Sequence, residues 1–354
     1  MGNFKNATTK QPKKSRLKKV ILRIVLSVII IFFLIFLAFK FSPWPSALLI
    51  RHYFNKEGVK VNKALKKYAP DGITAILNQQ YDPSDRDAFL DIYYPSNVSN
   101  TNRQLPVIVW VHGGGWVAGS KENIANYCKI LAGKGYAVVS VGYSLAPGKH
   151  YPTPVKQVNI ALSYLQGNAK KFHIDPSHFI LAGDSGGAHI AAQTGAIISN
   201  TDYGRLIGIS PSIGARQLSG VILYCGPYDA QLINPNSDYN SFNKSVLWAY
   251  IGKKDFVNHP LYKTVSVINY VNSNFPPCFI SVGNGDPLHE QSEAFARKLS
   301  MLNVKVDTLF YAQDYTPLLP HEYQFNLDIA AGKKALEQSI RFLDSLNLTI
   351  NNRE

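Results

Sequence analysis

His178-Phe179-Ile180-Leu181-Ala182-Gly183-Asp184-Ser185-Gly186-Gly187, followed by a helical run from His189 to Ser199, is the stretch on which the reading of this chain turns. Phe179 to Ala182 form an uncharged apolar run, as in a strand buried on both faces. Small residues then crowd around Asp184 and Ser185. A strand that turns sharply into a helix puts the turn residue in strained backbone, tolerates only small neighbours, and lifts the serine hydroxyl clear of the sheet. Gly183-Asp184-Ser185-Gly186-Gly187 has the G-x-S-x-G spacing of such a turn, with Ser185 as candidate nucleophile. The helix that follows aims free N–H groups at developing negative charge. An ordinary glycine-rich turn could show the same five residues, so the flanking strand and helix carry the weight.

A second glycine cluster lies upstream. Leu105 to Val111 read as a buried strand that runs into His112-Gly113-Gly114-Gly115-Trp116. Consecutive glycines let backbone N–H groups approach an oxyanion without side-chain obstruction. No G-K-[ST] follows, which argues against a phosphate-binding loop.

A serine hydroxyl needs a base, and the expected chain order is serine, acid, histidine. Downstream of Ser185 stand His189, His259, His289 and His321. His189 sits one turn into the helix, His259 falls in a long insertion, and His289 lies three residues from a candidate acid. His321 follows the last predicted strand and is the best base. Asp286 comes directly after the strand around Cys278 to Val282 and is the best acid, with Asp229 in reserve. The acid would hold the imidazole tautomer and stabilise its cation.

Around these motifs strands alternate with helices. Strands are predicted at 89–95, 105–111, 136–143, 178–184, 218–224, 278–282 and 304–312, and helices at 121–134, 154–172, 189–199, 292–303 and about 324–346. That alternation predicts an α/β fold with a mostly parallel sheet covered on both faces. Residues 230–275 break the rhythm and read as a lid insertion. Residues 44–78 read as a linker with helical pieces such as Asn62 to Tyr68.

The 354-residue chain carries a net charge of +14, and eight of its basic residues fall within residues 1–23, among them Lys5, Lys10, Arg16 and Arg23. The remainder carries 14 − 8 = +6. A basic arm of this kind can bind nucleic acid. Here it directly precedes Ile24 to Phe39, sixteen residues without a charge. With Val20 to Leu22 added and Arg23 snorkelling, about twenty residues span roughly 30 Å of bilayer core. The expected division is a basic cytoplasmic arm at 1–19, a membrane helix at 20–42 that ends near Pro43-Trp44-Pro45, a linker and cap segment at 43–84, and a catalytic domain at 85–350. Lysines beside the helix place the N-terminus in the cytoplasm and the domain outside the cell membrane. Secretion after cleavage is the competing reading, although no A-x-A-like site follows Phe39. The three cysteines, Cys128, Cys225 and Cys278, read as small core residues rather than a ligand cluster.

Taken as an ordered set, HGGGW at 112–116, YSLAP at 143–147, GDSGG at 183–187, DPL at 286–288 and HEY at 321–323 resemble the hormone-sensitive-lipase-like group of α/β-hydrolases. The resemblance covers about residues 85–345. It implies an α/β-hydrolase fold with an eight-stranded, mostly parallel sheet flanked by helices. A helical cap would be built from the N-terminal segment and the insertion. By position it implies a Ser185–His321–Asp286 triad and an oxyanion hole from the N–H groups of Gly114, Gly115 and Gly186. His112 and Gly113 would shape the loop, and Gly183 and Asp184 would support the elbow. Gly186 stands where the group often has alanine; the donor is a backbone N–H, so the exchange should matter little.

The expected chemistry is hydrolysis of carboxylic esters through an acyl-enzyme, with no metal or organic cofactor: the sequence holds no H-E-x-x-H or Cys–His ligand set. Amidase, peptidase or acyltransferase activity is open to the same triad. A non-catalytic binding module would be expected to lack one of its members. Trp116 and Tyr143 are candidates for the substrate pocket. The expected partners are a small-molecule, lipid or glycan ester and the membrane at 20–42, with no nucleic acid.

Overall fold

A computed structural model describes residues 13–232, 240–346 and 348. Lys5 and Lys10 of the basic arm lie outside the described residues. Eight strands run β1 (Ile73–Gln80), β2 (Phe89–Pro95), β3 (Leu105–Val111), β4 (Ala137–Val141), β5 (Ile174–Asp184), β6 (Leu218–Tyr224), β7 (Cys278–Val282) and β8 (Val306–Phe310). They form one sheet in the order β1-β2-β4-β3-β5-β6-β7-β8. The β1–β2 and β2–β4 pairs are antiparallel and the other five pairs are parallel.

The parallel strands are apolar because both of their faces are covered. Along β3, Val107, Val109 and Val111 enter one core while Ile108 and Trp110 enter the other. Helices α4 (Thr153–Gly167) and α5 (Ser185–Ser199) cover the first face, with α9 (His289–Met301) at its far end. Helices α3 (Ala125–Ala132) and α10 (Ala330–Ser345) cover the second. The short α6 (Thr201–Leu206) follows α5.

Two N-terminal expectations change. Residues 73–80 are a strand and not part of a linker with helical pieces. β1 is an edge strand in which Ala75, Leu77 and Asn78 are exposed, and its register shifts between Ile76 and Gln79, so its apolar alternation is weak. Residues 44–65 form a continuous helix, α2 (Trp44–Leu65). The Pro43-Trp44-Pro45 segment ends one helix and begins the next, because proline fits the first helical turn.

Before it, α1 (Lys13–Phe41) contains, within Arg16–Phe41, an 18-residue window with mean hydropathy 3.2, none of it buried in the protein. The helix is long and apolar enough to cross a bilayer. Its C-terminal end is tied to the domain where the Lys254 ammonium donates to the Lys40 carbonyl at 2.7 Å. The 230–275 segment holds α7 (Asn240–Ile251) and α8 (Tyr262–Val265) with short helical turns between and beside them.

Candidate active site

Ser185 occupies the first residue of α5, directly after β5, with φ at +50°. A non-glycine residue there is strained, and the packing around it must hold it in place. Part of that packing is Gly187: a Cβ at this position would collide with the Val111 and His112 carbonyls. The Ser185 hydroxyl lies 2.9 Å from His321 Nε2, and His321 Nδ1 lies 2.8 Å from Asp286 Oδ2. The second Asp286 oxygen accepts the Leu288 N–H at 2.8 Å. Asp286 follows β7 and His321 follows β8, so all three groups meet at the carboxyl ends of parallel strands, where open α/β sheets carry their ligand crevices.

The remaining acids and histidines are engaged elsewhere. Asp229 accepts the Gln231 N–H, Asp255 accepts from Asn258, and Asp307 lies in β8. His189 lies 2.7 Å from the Val265 carbonyl, and His289 lies 3.0 Å from that of Gly283. Burial pushes the pKa of both His112 and His189 down to about 4, so they stay neutral. His321 behaves in the opposite way. Burial alone would lower its pKa, but the adjacent Cys225 and Asp286 outweigh it and raise the value well above 6.5. Cys225 is itself held up to about 12 by burial, so it stays a neutral thiol and Asp286 is the charge that acts on the imidazole.

Cys225 was expected to be a core residue apart from any ligand set. It is buried, but its sulfur lies within 4.8 Å of ligand atoms of both Asp286 and His321. Nothing in its local sequence carries that signal, because β6, β7 and the loop after β8 bring the three together.

The loop after β3 turns back over Ser185. Gly114 has φ at +111° and Gly115 at +58°. Gly114 O accepts the N–H groups of Val117 and Ala118. Among the described residues, no protein acceptor takes the N–H of Gly114, Gly115 or Trp116. A Cβ on Gly186 would sit 3.1 Å from Trp116 N and 3.2 Å from Gly115 N, so the loop donors close on the start of α5. Gly113 N donates to Asp184 Oδ2 and Trp110 Nε1 donates to Asp184 Oδ1, both at 2.7 Å. Asp184 therefore ties the elbow to the glycine loop. The His112 ring stacks on Tyr143 at 4.3 Å, and the Tyr143 hydroxyl donates to the His112 carbonyl.

A cavity of about 200 Å³ opens above Ser185 and His321. Trp116 and Tyr143, expected at the substrate pocket, do not line it. Trp116 is buried against Tyr250, rings parallel at 4.5 Å, and Tyr143 is buried behind His112. The walls come instead from residues outside the sequence motifs, Tyr53, Phe54, Glu57 and Val61 on α2, and from Glu322 and Phe325 beyond His321. The inward spacing of Ile50, Phe54, Gly58 and Leu65 was the available signal for α2 as a packed helix.

Residues 90–299 match the protein-family model BD-FAE, more than half of the chain. The chain belongs to the BD-FAE family. This agrees with the hormone-sensitive-lipase-like resemblance of its motifs. The BD-FAE chain is 27% identical to esterase LipQ of Mycobacterium tuberculosis over 235 residues, which is 66% of this chain and 54% of that protein. It is 28% identical to carboxylesterase NlhH of the same species over 263 residues, 71% of this chain and 76% of NlhH. The mimivirus protein R526, named an α/β hydrolase, is 29% identical over 212 residues and 57% of each chain. The chain thus spans just over half the length of R526 and LipQ. Esterase B of Lactobacillus rhamnosis shares the fold with a TM-score of 0.72 at 23% identity, over 85% of this chain and 95% of that one. The esterase of Pyrobaculum calidifontis does so with a TM-score of 0.65 at 23% identity, over 86% and 94%. The α/β-hydrolase fold of the BD-FAE chain is therefore established.

Proposed function

We propose that the chain is a membrane-anchored serine carboxylesterase with Ser185 as nucleophile. The observation that carries this reading is the continuous relay from Asp286 through His321 to Ser185, at 2.8 and 2.9 Å. The names of LipQ and NlhH, an esterase and a carboxylesterase, point the same way.

His321 Nε2 takes the Ser185 proton as Oγ attacks the ester carbonyl carbon. The Nδ1–H donates to Asp286, which keeps Nε2 free to accept and stabilises the imidazolium that forms. Negative charge on the carbonyl oxygen falls to the N–H groups of Gly114, Gly115 and Gly186. The imidazolium then gives its proton to the leaving alcohol, and water repeats the sequence on the acyl-enzyme. The helix α1 ties this chemistry to a bilayer with its basic side in the cytoplasm and the domain outside. In this reading α2 and the insertion after Asp229 serve as the cap.

Full-length protein in detergent, given p-nitrophenyl esters of graded chain length beside Ser185→Ala, tests the reading. A triad serine should cost on the order of 10⁶ in turnover. Equal rates for the two proteins would sink it. For the anchor, release from membranes by salt alone would rule out a spanning helix.

A further inference from the structure

The chain as a whole is basic, with 37 Lys and Arg against 23 Asp and Glu. The cavity above Ser185 inverts that balance. Glu57, Asp184 and Glu322 line it, and no Lys or Arg does so among the described residues. The aromatic rings of Tyr53, Phe54 and Phe325 share the same walls.

The charges are not equivalent. Asp184 is buried, and its pKa is pushed well above the usual carboxylate range by that burial and by the nearby Glu322 carboxylate. Its two oxygens are taken up by the Trp110 Nε1–H and the Gly113 N–H, so Asp184 offers little to a ligand. Glu322 is the freer of the two carboxylates: its side chain is 34% exposed and its Oε1 lies 3.8 Å from His321 Nε2. His321 Nε2 is the atom that meets the leaving group. Glu57 is paired with Lys60 at 2.7 Å, whose ammonium offsets part of its charge. Glu322 thus carries the larger share. An anion in this cavity would meet unopposed carboxylate, whereas a cation would find both a counter-charge and π-faces.

We infer that the cavity selects esters bearing a positive charge near the scissile bond, with Glu322 and Glu57 as specificity-determining carboxylates and Tyr53, Phe54 and Phe325 as the aromatic wall. The inference rests on the ester-hydrolase reading and adds the charge of the substrate to it. A cation–π contact together with a poorly screened carboxylate is worth roughly tenfold to a hundredfold in selectivity.

The test uses full-length protein in nonionic detergent and three acetates that differ mainly in the charge of the alcohol: choline, 3,3-dimethylbutanol and 2-hydroxyethanesulfonate. The cationic ester should exceed its neutral isostere in kcat/KM by about tenfold or more, and the anionic ester should fall below both. Glu322→Gln should bring the cation-to-neutral ratio close to one. Glu57→Gln should lower it less, and high salt should imitate that smaller loss. A ratio at or below one in the unaltered chain overturns the inference. A second arm does not depend on turnover: calorimetry of choline against 3,3-dimethylbutanol on the Ser185→Ala chain. Tighter binding of choline supports the charge preference even if no ester is hydrolysed, in which case the hydrolase reading alone has failed. Equal binding of the two alcohols overturns the preference. If Glu322→Gln does not fold, the ratio in the unaltered chain and the choline arm still decide.

Discussion

The floor of the cavity, made from the loops after β3, β5 and β8, and its cover, made from α2 with the insertion after Asp229 packed beside it, are built by different means. On the floor each functional group is set by a strand end and a tight turn. The parallel register of five strand pairs fixes those ends, and the side chains behind them are buried. In the cover, few backbone bonds reach the floor, and side chains do the joining. Arg51 on α2 donates to the carbonyls of Val117 at 2.7 Å and Ala146 at 2.8 Å, and Asn55 accepts the Gly119 N–H at 2.8 Å. Phe54 meets Phe242 of α7 at 5.8 Å, and a side chain on Gly115 would touch Phe242 and Val246. The floor can hold chemistry to within tenths of an ångström because a packed sheet does not yield. The cover reaches that geometry only through single side chains such as Arg51 and Asn55. In the proposed reading, selectivity therefore belongs to the cover and to the loop that carries Glu322, and rate to the floor.

The contrast can be broken at its strongest point by Asp286→Asn. The amide presents an N–H where the imidazole must donate, which favours the wrong tautomer while the volume is kept. Turnover should fall by about 10⁴ with the fold intact. A loss below about tenfold would show that the carboxylate does not orient His321.

The pH profile sharpens the same half. The base must be neutral to accept the serine proton, and the His321 pKa is raised, so protonation removes activity from a higher pH than for an ordinary histidine. In kcat/KM the acid limb should lie above pH ~6.5 and fall about tenfold per unit below it. A limb well under that value would mean that the group titrated is not this histidine in this setting.

The smallest effect is expected in the cover. Arg51→Ala removes two hydrogen bonds to the glycine-loop region, each charge-assisted and worth about 1.5–3 kcal/mol at most. If the loop shifts in consequence, kcat should drop by roughly tenfold while KM for a small ester stays nearly constant. Arg51→Lys, with one donor group in reach, should recover part of the rate. A change confined to thermal stability would make Arg51 a packing residue and leave the two regions uncoupled.

Much of the floor was legible because its signals are local. Phe179 to Ala182 predict a buried strand, the glycines after it predict the turn, and Ser185 sits between them. Cys278 to Val282 and Asp286 repeat that logic one strand further along. β1 was missed because an edge strand need not alternate, and α2 because two prolines within three residues read as a break when they mark two helices meeting. Trp116 and Tyr143 stand next to the motifs in sequence, but Trp116 stacks on Tyr250 and Tyr143 on His112, both turned away from the cavity.

By itself the sequence determined the strand–turn–helix around Ser185, the alternation that makes a parallel sheet, and an apolar run long enough to cross a bilayer. These are short-range properties: periodicity, the steric tolerance of glycine, and hydropathy over twenty or so residues. Only the tertiary structure decided that Tyr53, Phe54 and Glu57 line the cavity of Ser185, that Glu322 stands near Asp184, and that Cys225 lies beside His321. Those neighbours are far apart in the chain, up to about 270 residues for Tyr53 and Phe325. Their meeting depends on which strands pair and where a helix docks, and no local pattern encodes either.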